Sequence, residues 1–316
     1  MKPDSKIFVA GHRGLVGSAI CRALDSRGYA NILTRTRDEV DLRDAAAVDA
    51  LFRVERPEYV ILAAAKVGGI LANDSNPVEF LRDNLEIQTH VIDAAYRHDV
   101  KKLAFLGSSC IYPKFAPQPI REDSLLTGPL EPTNEWYAIA KIAGVRLCQA
   151  YAKQYGFNAI SLMPTNLYGP GDNFDLSTSH VLPALIRKFH EARQTEAAEV
   201  TVWGSGKPLR EFLYVDDLAD AVCYLMEQYD SPEIVNVGVG KDLSIAELAE
   251  VVKAVVGFTG KIVFDNSKPD GTPRKLLDVS RMTGLGWKAT TDLETGIRAT
   301  YRWYLAQLER PAEDKT

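Results

Sequence analysis

No run of eighteen apolar residues occurs in the 316-residue chain, which excludes a membrane-spanning helix of ordinary length. No excess of basic residues occurs either. Lys and Arg number 37 against 42 Asp and Glu, for a formal net charge of −5, and this argues against nucleic acid as the main partner. Cysteine is scarce: Cys21, Cys110, Cys148 and Cys223 lie far apart and without metal-ligand spacing, so neither a disulfide framework nor a metal centre is expected, and a reduced cytoplasmic protein is. Internal repeats and low-complexity segments are absent. Met1–Ser5 leads straight into a β-type run, leaving no room for a signal peptide, and only the tail 309–316 reads as frayed.

What is present is the composition of a soluble globular protein, 46% hydrophobic and 25% charged, with length for one large α/β domain or two smaller ones. Lys6–Ala10 is a short apolar run. Gly11-His12-Arg13-Gly14-Leu15-Val16-Gly17 follows it, and Ser18–Leu24 reads as helix. Strand, glycine turn and helix in succession form the context in which backbone approaches a pyrophosphate at a helix N-terminus. The spacing is Gly-x-x-Gly-x-x-Gly rather than Gly-x-Gly-x-x-Gly. A second strand, about Asn31–Thr34, ends in Arg35-Thr36-Arg37. With Arg13 these arginines favour the 2′-phosphate of NADP, while Asp38 and Glu39 leave the acidic, NAD-type reading standing.

Tyr59–Ala65 is apolar throughout, as a strand buried on both faces should be, and Lys102–Gly107 delivers Ser108-Ser109-Cys110 to the same rim. The segment Tyr137–Ala152 reads as a helix with Tyr137 and Lys141 four apart on one face. Lys141 is expected to lower the Tyr137 phenol toward a useful proton donor. A Tyr-x-x-x-Lys pair is more often an ordinary helix-surface pair, and it gains meaning only from the nucleotide turn before it and the strand ends around it. A further strand, Ala159–Met163, ends in Pro164-Thr165-Asn166-Leu167. Cys110 is expected on the same side of an extended rim as Ser108, with His180 starting a helix. A thiol and an imidazole both titrate near neutrality and suit proton removal and return, although a lone cysteine is commonly just packing. Cys21, Cys148 and Cys223 are read as such packing on helix faces. Leu185–Lys188 is read as closing a helix with two cations toward a cleft, and Asp216-Asp217 as capping a helix from Leu218 to Gln228.

Together these residues resemble the extended short-chain dehydrogenase/reductases, which act mainly on nucleotide sugars. The resemblance is carried by Gly11–Gly17, Ala63–Gly69, Gly107–Pro113, Glu131–Glu135, Met163–Pro170 and Lys268–Lys275, and spans about Lys6 to Leu308. It implies a doubly wound parallel sheet of Rossmann type over 1–170, with 212–240 returning to it, and a smaller C-terminal α/β substrate-binding domain over 171–308. It implies a homodimer, NADPH as cofactor, and a GDP-4-keto-6-deoxy sugar that is epimerised at C3″ and C5″ and then reduced at C4″. The catalytic residues it implies are Ser108, Tyr137, Lys141, Cys110 and His180. Gly11–Gly17, Arg37, Asp41, Leu42, Leu106, Gly107, Ser109, Lys141, Pro164, Asn166, Leu167 and His180 are implied at the cofactor; Lys188, Trp203, Arg210, Asp270 and Lys275 are implied at the nucleotide sugar, the cations facing its diphosphate. Two other readings compete. A 4-epimerase or 4,6-dehydratase would retain NAD and favour an acid after the second strand, and a dehydratase would carry an Asp-Glu pair near Ser109-Cys110. An idle NADP-binding scaffold would not need Ser108, Tyr137 and Lys141 together.

Overall fold

Ile7–Ala10 (β1) is buried along its whole length, paired on both sides with other strands. The computed structural model describes residues 1–268 and 270–309, without the Ile70 side chain; the expected frayed tail, Glu309 apart, lies outside the described residues. After β1 come α1 (Leu15–Ser26), β2 (Ile32–Leu33), α2 (Ala45–Glu55), β3 (Tyr59–Leu62), the short α3 (Ile70–Ser75) and α4 (Pro77–Arg97). Then follow β4 (Lys102–Leu106), α5 (Glu135–Tyr155), β5 (Ala159–Pro164), β6 (Asn166–Tyr168), α6 (Val181–Gln194), β7 (Glu199–Trp203), β8 (Leu209–Arg210) and β9 (Phe212–Tyr214). The rest is α7 (Val215–Gln228), β10 (Val235–Val237), β11 (Leu243–Ser244), α8 (Ile245–Val256), β12 (Lys261–Asp265), β13 (Arg274–Lys275), α9 (Ser280–Gly284) and α10 (Leu293–Glu309).

Six strands form one parallel sheet in the order β10-β5-β4-β3-β1-β2. The order reverses between β1 and β3, the switch point outside which α/β sheets bind ligands. One face packs on α2, α4 and α5 through Phe52, Val91, Ile92 and Val145; the other packs on α1 and α7 through Ile20, Leu24, Leu218 and Val222. Both faces being covered explains why β3 and β4 read as unbroken apolar runs. The single charge among them, Lys102, is 4% exposed and donates to the Leu225 and Met226 carbonyls and to Asp230, closing the end of α7. A separate core lies among α6, α8, α10 and β7, built on Leu185, Phe189, Leu248, Val252 and Ile297. Beside it β11, β8 and β13 form a small sheet, β12 pairs with β7, and β6 pairs with β9.

Several expected boundaries move. The second strand shortens to Ile32–Leu33, and α6 runs on to Gln194 rather than closing at Lys188. Asp216 and Asp217 do not cap: β9 feeds directly into α7 at Val215, which places both in the first turn, where acids complement the helix dipole. Asp216 pairs with Arg22 at 2.6 Å, and Asp217 accepts from Thr290 and from the Thr291 amide, tying α7 to the segment before α10. Ser244 does cap α8, through a reciprocal capping box with Glu247.

Candidate active site

The turn after β1 is built for close backbone approach. Gly11 takes φ +88°, and a Cβ there would lie 2.7 Å from the Ala64 amide nitrogen at the end of β3. At Gly17 a Cβ would stand 2.1 Å from the Gly11 carbonyl oxygen, so only glycine lets α1 start this near the turn. Gly14 is the N-cap of α1 and offers no side chain to its first amides, which stay available to an anion. His12 keeps a buried Nδ1 with no partner among the described residues. These observations fit a dinucleotide pyrophosphate at the switch point. Of the three arginines, Arg35 turns away to pair with Glu55. Arg13 has no ion-pair partner among the described residues, and Arg37, 70% exposed, lies 3.8 Å from Asp41. Glu39 folds back on Thr36, whose amide and hydroxyl hold its carboxyl below the usual range, with Arg35 and Arg13 adding to the effect. Asp41 is engaged by Arg43 at 2.6 Å.

At the carboxyl end of β4 three side chains converge. Lys141, 3% exposed, donates from Nζ to the Leu106 carbonyl at 2.7 Å and lies 4.8 Å from the Phe105 ring centre and 5.9 Å from that of Tyr137. Burial pushes it down to about 7. The Tyr137 phenol moves upward, not downward: burial raises it first and the Cys110 sulfur raises it further, while a hydrogen bond with Ser108 opposes. The expected lowering by Lys141 is therefore corrected. Its ammonium is committed to a carbonyl and its own charge is disfavoured by the same burial.

Ser108 accepts from the Cys110 amide at 3.2 Å, and its hydroxyl favours the charged forms of both the phenol and the Cys110 thiol. Cys110 reaches this cluster by another route than strand alternation. β4 ends at Leu106, and Ser109–Ile111 form a single 3₁₀ turn capped by Ser108, which swings the thiol back over its own cap. Two nitrogens face the sulfur, Lys275 Nζ at 3.3 Å and Asn134 Nδ2 at 3.5 Å. Burial raises the thiol, but Lys275, Ser108 and Arg210 together overcome it and leave it below its ordinary value. His180 is the N-cap residue of α6; burial and then the Lys275 charge lower its imidazole, so Lys275 stands near both groups.

The remaining residues spread along the cleft. Trp203 is 54% exposed and so not part of the core, with Lys188 and Lys268 at 5.0 and 5.3 Å from its ring centre. Arg210 donates to the carbonyls of Leu209 and Asp270, and the Asp270 carboxylate accepts from the amide and hydroxyl of Ser205. Asn166 donates to the Glu211 carbonyl at 2.7 Å, which links β6 to β9. Lys275 belongs with Cys110, not with Lys188 and Trp203, so the expected set of cations divides. Arg187, the second cation expected to face the cleft, pairs instead with Glu191 and the Phe174 carbonyl. A pocket lined by Ser109, Cys110, Lys114, Glu131, Asn134 and Lys275 adjoins the sulfur. Asn134 and Glu211 were missed by sequence reasoning. Position gave a signal for each: Asn134 directly precedes the Tyr137 helix, and Glu211 sits beside Arg210.

A nucleotide turn feeding a Ser, Tyr and Lys cluster at the next strand ends defines an extended short-chain dehydrogenase/reductase. The chain belongs to the NAD dependent epimerase/dehydratase family, whose model matches residues 7–238. It is 64% identical over 301 residues to the probable GDP-L-fucose synthase 1 of Oryza sativa subsp. japonica, covering 95% of this chain and 92% of that one. Among solved structures it is similar to the GDP-6-OMe-4-keto-L-xylo-heptose reductase of C. jejuni, at TM-score 0.93 and 40% identity over 97% of this chain and 99% of the other. The GDP-L-fucose synthetase of Naegleria fowleri with NADP bound gives TM-score 0.89 and 34% identity over 98% and 96%.

Proposed function

We propose that the protein converts GDP-4-keto-6-deoxy-D-mannose to GDP-L-fucose, epimerising C3″ and C5″ and reducing C4″ with NADPH. The observation that carries this reading is the Cys110 sulfur, faced by Lys275 Nζ at 3.3 Å, on the turn whose amide bonds Ser108 at 3.2 Å. A simple 4-ketoreductase has no need of it. The names of the relatives support the substrate class.

The first amides of α1, with Gly11–Gly17, take the pyrophosphate; Arg13 and Arg37 take the 2′-phosphate, and Asp41 and Leu42 border the adenine. Leu106, Gly107, Ser109, Pro164, Asn166, Leu167 and His180 line the remainder of that site. The bound nicotinamide supplies a hydride. Ser108 and Tyr137 point at the C4″ oxygen. A ketone there acidifies the hydrogens on C3″ and C5″, and the two hydroxyls stabilise the enolate that forms when one is removed. Cys110 and His180 form the proton-transfer pair, one taking the proton from carbon and the other returning one on the opposite ring face. Tyr137 then gives its proton to the C4″ oxygen, with Lys141 beneath it. Lys188, Trp203, Arg210 and Asp270 hold the nucleotide sugar, with Lys275 at the Cys110 end of the cleft. Residues 1–170 with about 212–240 form the cofactor side, and the rest of 171–308 mainly the substrate side. The resemblance also supports a homodimer in the cytoplasm, which sedimentation and fractionation test.

Incubation with GDP-4-keto-6-deoxy-D-mannose and NADPH, with the sugar identified by NMR, tests the reading. GDP-L-fucose is expected. A product reduced at C4″ without inversion at C3″ and C5″ would favour a second reading, a plain GDP-sugar 4-ketoreductase, which the likeness to the C. jejuni reductase supports. No NADPH consumption would contradict both.

A further inference from the structure

We propose that Lys275 and Asn134 hold the Cys110 sulfur as a thiolate before substrate arrives, and that Glu211 seats Lys275 for this task. The proposal rests on the epimerase reading above and adds positioning residues to it. Lys275 Nζ at 3.3 Å and Asn134 Nδ2 at 3.5 Å approach the sulfur from segments far apart in the chain, β13 and the residue preceding α5. Both are donors, and a sulfur that faces donors, one of them a cation, is favoured as the anion. A proton on the sulfur would leave the lysine charge uncompensated there.

Lys275 is fixed by backbone on both sides. It pairs in parallel register with Arg210, while Gln118 takes the Leu276 amide at 2.9 Å and donates to the Arg274 carbonyl at 3.2 Å. Two residues on, the Leu277 amide bonds Glu211 Oε2 at 3.0 Å. The other oxygen of that fully buried carboxylate takes the amides of Val239 and Gly240 at 2.6 and 2.7 Å. One carboxylate thus gathers the turn after β10 and the end of β13 at the start of β9, and charge-assisted bonds of this kind are about twice as strong as neutral ones. A glutamine there presents only one acceptor and sets an N–H against the other donors.

The consequence is chemical. An ordinary thiol is mostly protonated at neutral pH and must be ionised before it can act as a base. A thiolate held by Lys275 is ready, and somewhat weaker as a base, which brings its proton affinity nearer the working pH. When Cys110 removes a proton from carbon, the C–H electron pair passes into the enolate and the proton stays on sulfur. Other groups bear on the same sulfur, Arg210 from β8 and Tyr137 from α5, and the Lys275 charge also bears on the His180 imidazole at the start of α6.

The test is the rate at which iodoacetamide alkylates Cys110, followed against pH by mass spectrometry of its own peptide in the full-length enzyme. Lys275→Met is expected to raise the midpoint by about one pH unit or more, a tenfold loss of thiolate at a given neutral pH. Lys275→Arg should retain most of the low midpoint; Asn134→Ala and Glu211→Gln should raise it less than Lys275→Met. The pH profile of deuterium exchange into substrate should move by the same amounts. Circular dichroism and a thermal melt show that each variant is folded; should Lys275→Met not fold, folded Asn134→Ala and Glu211→Gln must still raise the midpoint. An unmoved midpoint in a folded Lys275→Met, or in both others, overturns the proposal. Alkylation needs no substrate, so this outcome is separate from failure of the epimerase reading, which Cys110→Ser with unchanged exchange would show.

Discussion

The two ends of the candidate site are made differently. The cofactor end is local and built of backbone: seven consecutive residues, Gly11–Gly17, supply a turn, a close approach and uncapped helix amides. The reacting end is built of side chains from distant segments, with Ser108 and Cys110 after β4, Tyr137 and Lys141 on α5, His180 before α6 and Lys275 on β13. The first depends on space that a single methyl group would fill; the second depends on charges and donors set at about 3 Å, as in Lys275 Nζ to Cys110 at 3.3 Å. Substitutions should therefore fail in different ways, by blocked geometry at one end and by lost chemistry in an intact fold at the other.

The largest effect is expected at the reacting end. Tyr137→Phe should lower the rate of C4″ reduction by roughly 10²–10⁴-fold, measured by NADPH consumption, with NADPH affinity and melting temperature little changed. Retained turnover would remove Tyr137 from the role of proton donor and erase the proposed contrast. Gly17→Ala is the matching test at the cofactor end. Its methyl would meet the Gly11 carbonyl at 2.1 Å, so the turn must shift. Overpacking of this kind costs about 1–3 kcal/mol, and cofactor binding should weaken along with stability, as calorimetry and a thermal melt would show. Normal cofactor affinity in this variant would mean that the close approach is not what binds.

Between the ends, Trp203→Ala should raise KM for the GDP-sugar by roughly tenfold and leave stability nearly unchanged, because the ring is 54% exposed and touches cations rather than core. A further effect is on stability against pH. Burial holds Lys141 down to about 7, below its unfolded value, so between these two values the unfolded chain binds the proton more tightly. Folding stability contributed through this residue should rise as pH increases above about 7 and fall as pH drops back toward it. Melting temperatures of wild type and Lys141→Met, compared across that range, isolate the effect. A constant difference would show that the lysine is not disfavoured by its surroundings.

The cofactor end was legible in the sequence because its determinants are consecutive: an apolar run, three spaced glycines and a helix. The sheet was legible for the same reason, since β3 and β4 are apolar on both faces. The reacting end was legible only in its parts. Tyr137 and Lys141 share a helix face by spacing, but which way the ammonium turns depends on the Leu106 carbonyl of another strand, and so the expected effect on Tyr137 was reversed. Cys110 lands beside Ser108 through a 3₁₀ turn that the flanking residues did not announce. Lys275 meets the sulfur only because β13 pairs with β8 and is drawn in by Glu211, a pairing of segments more than sixty residues apart that no local pattern encodes.

The most direct measurement leaves the reductant out. The enzyme with NADP and GDP-4-keto-6-deoxy-D-mannose in deuterium oxide cannot complete reduction, so any deuterium entering C3″ and C5″ reports the proton-transfer groups alone. The account predicts exchange at both carbons by wild type, lost in Cys110→Ser, while that variant still consumes NADPH when the reductant is restored. No exchange by wild type, or exchange undiminished without the thiol, would contradict it.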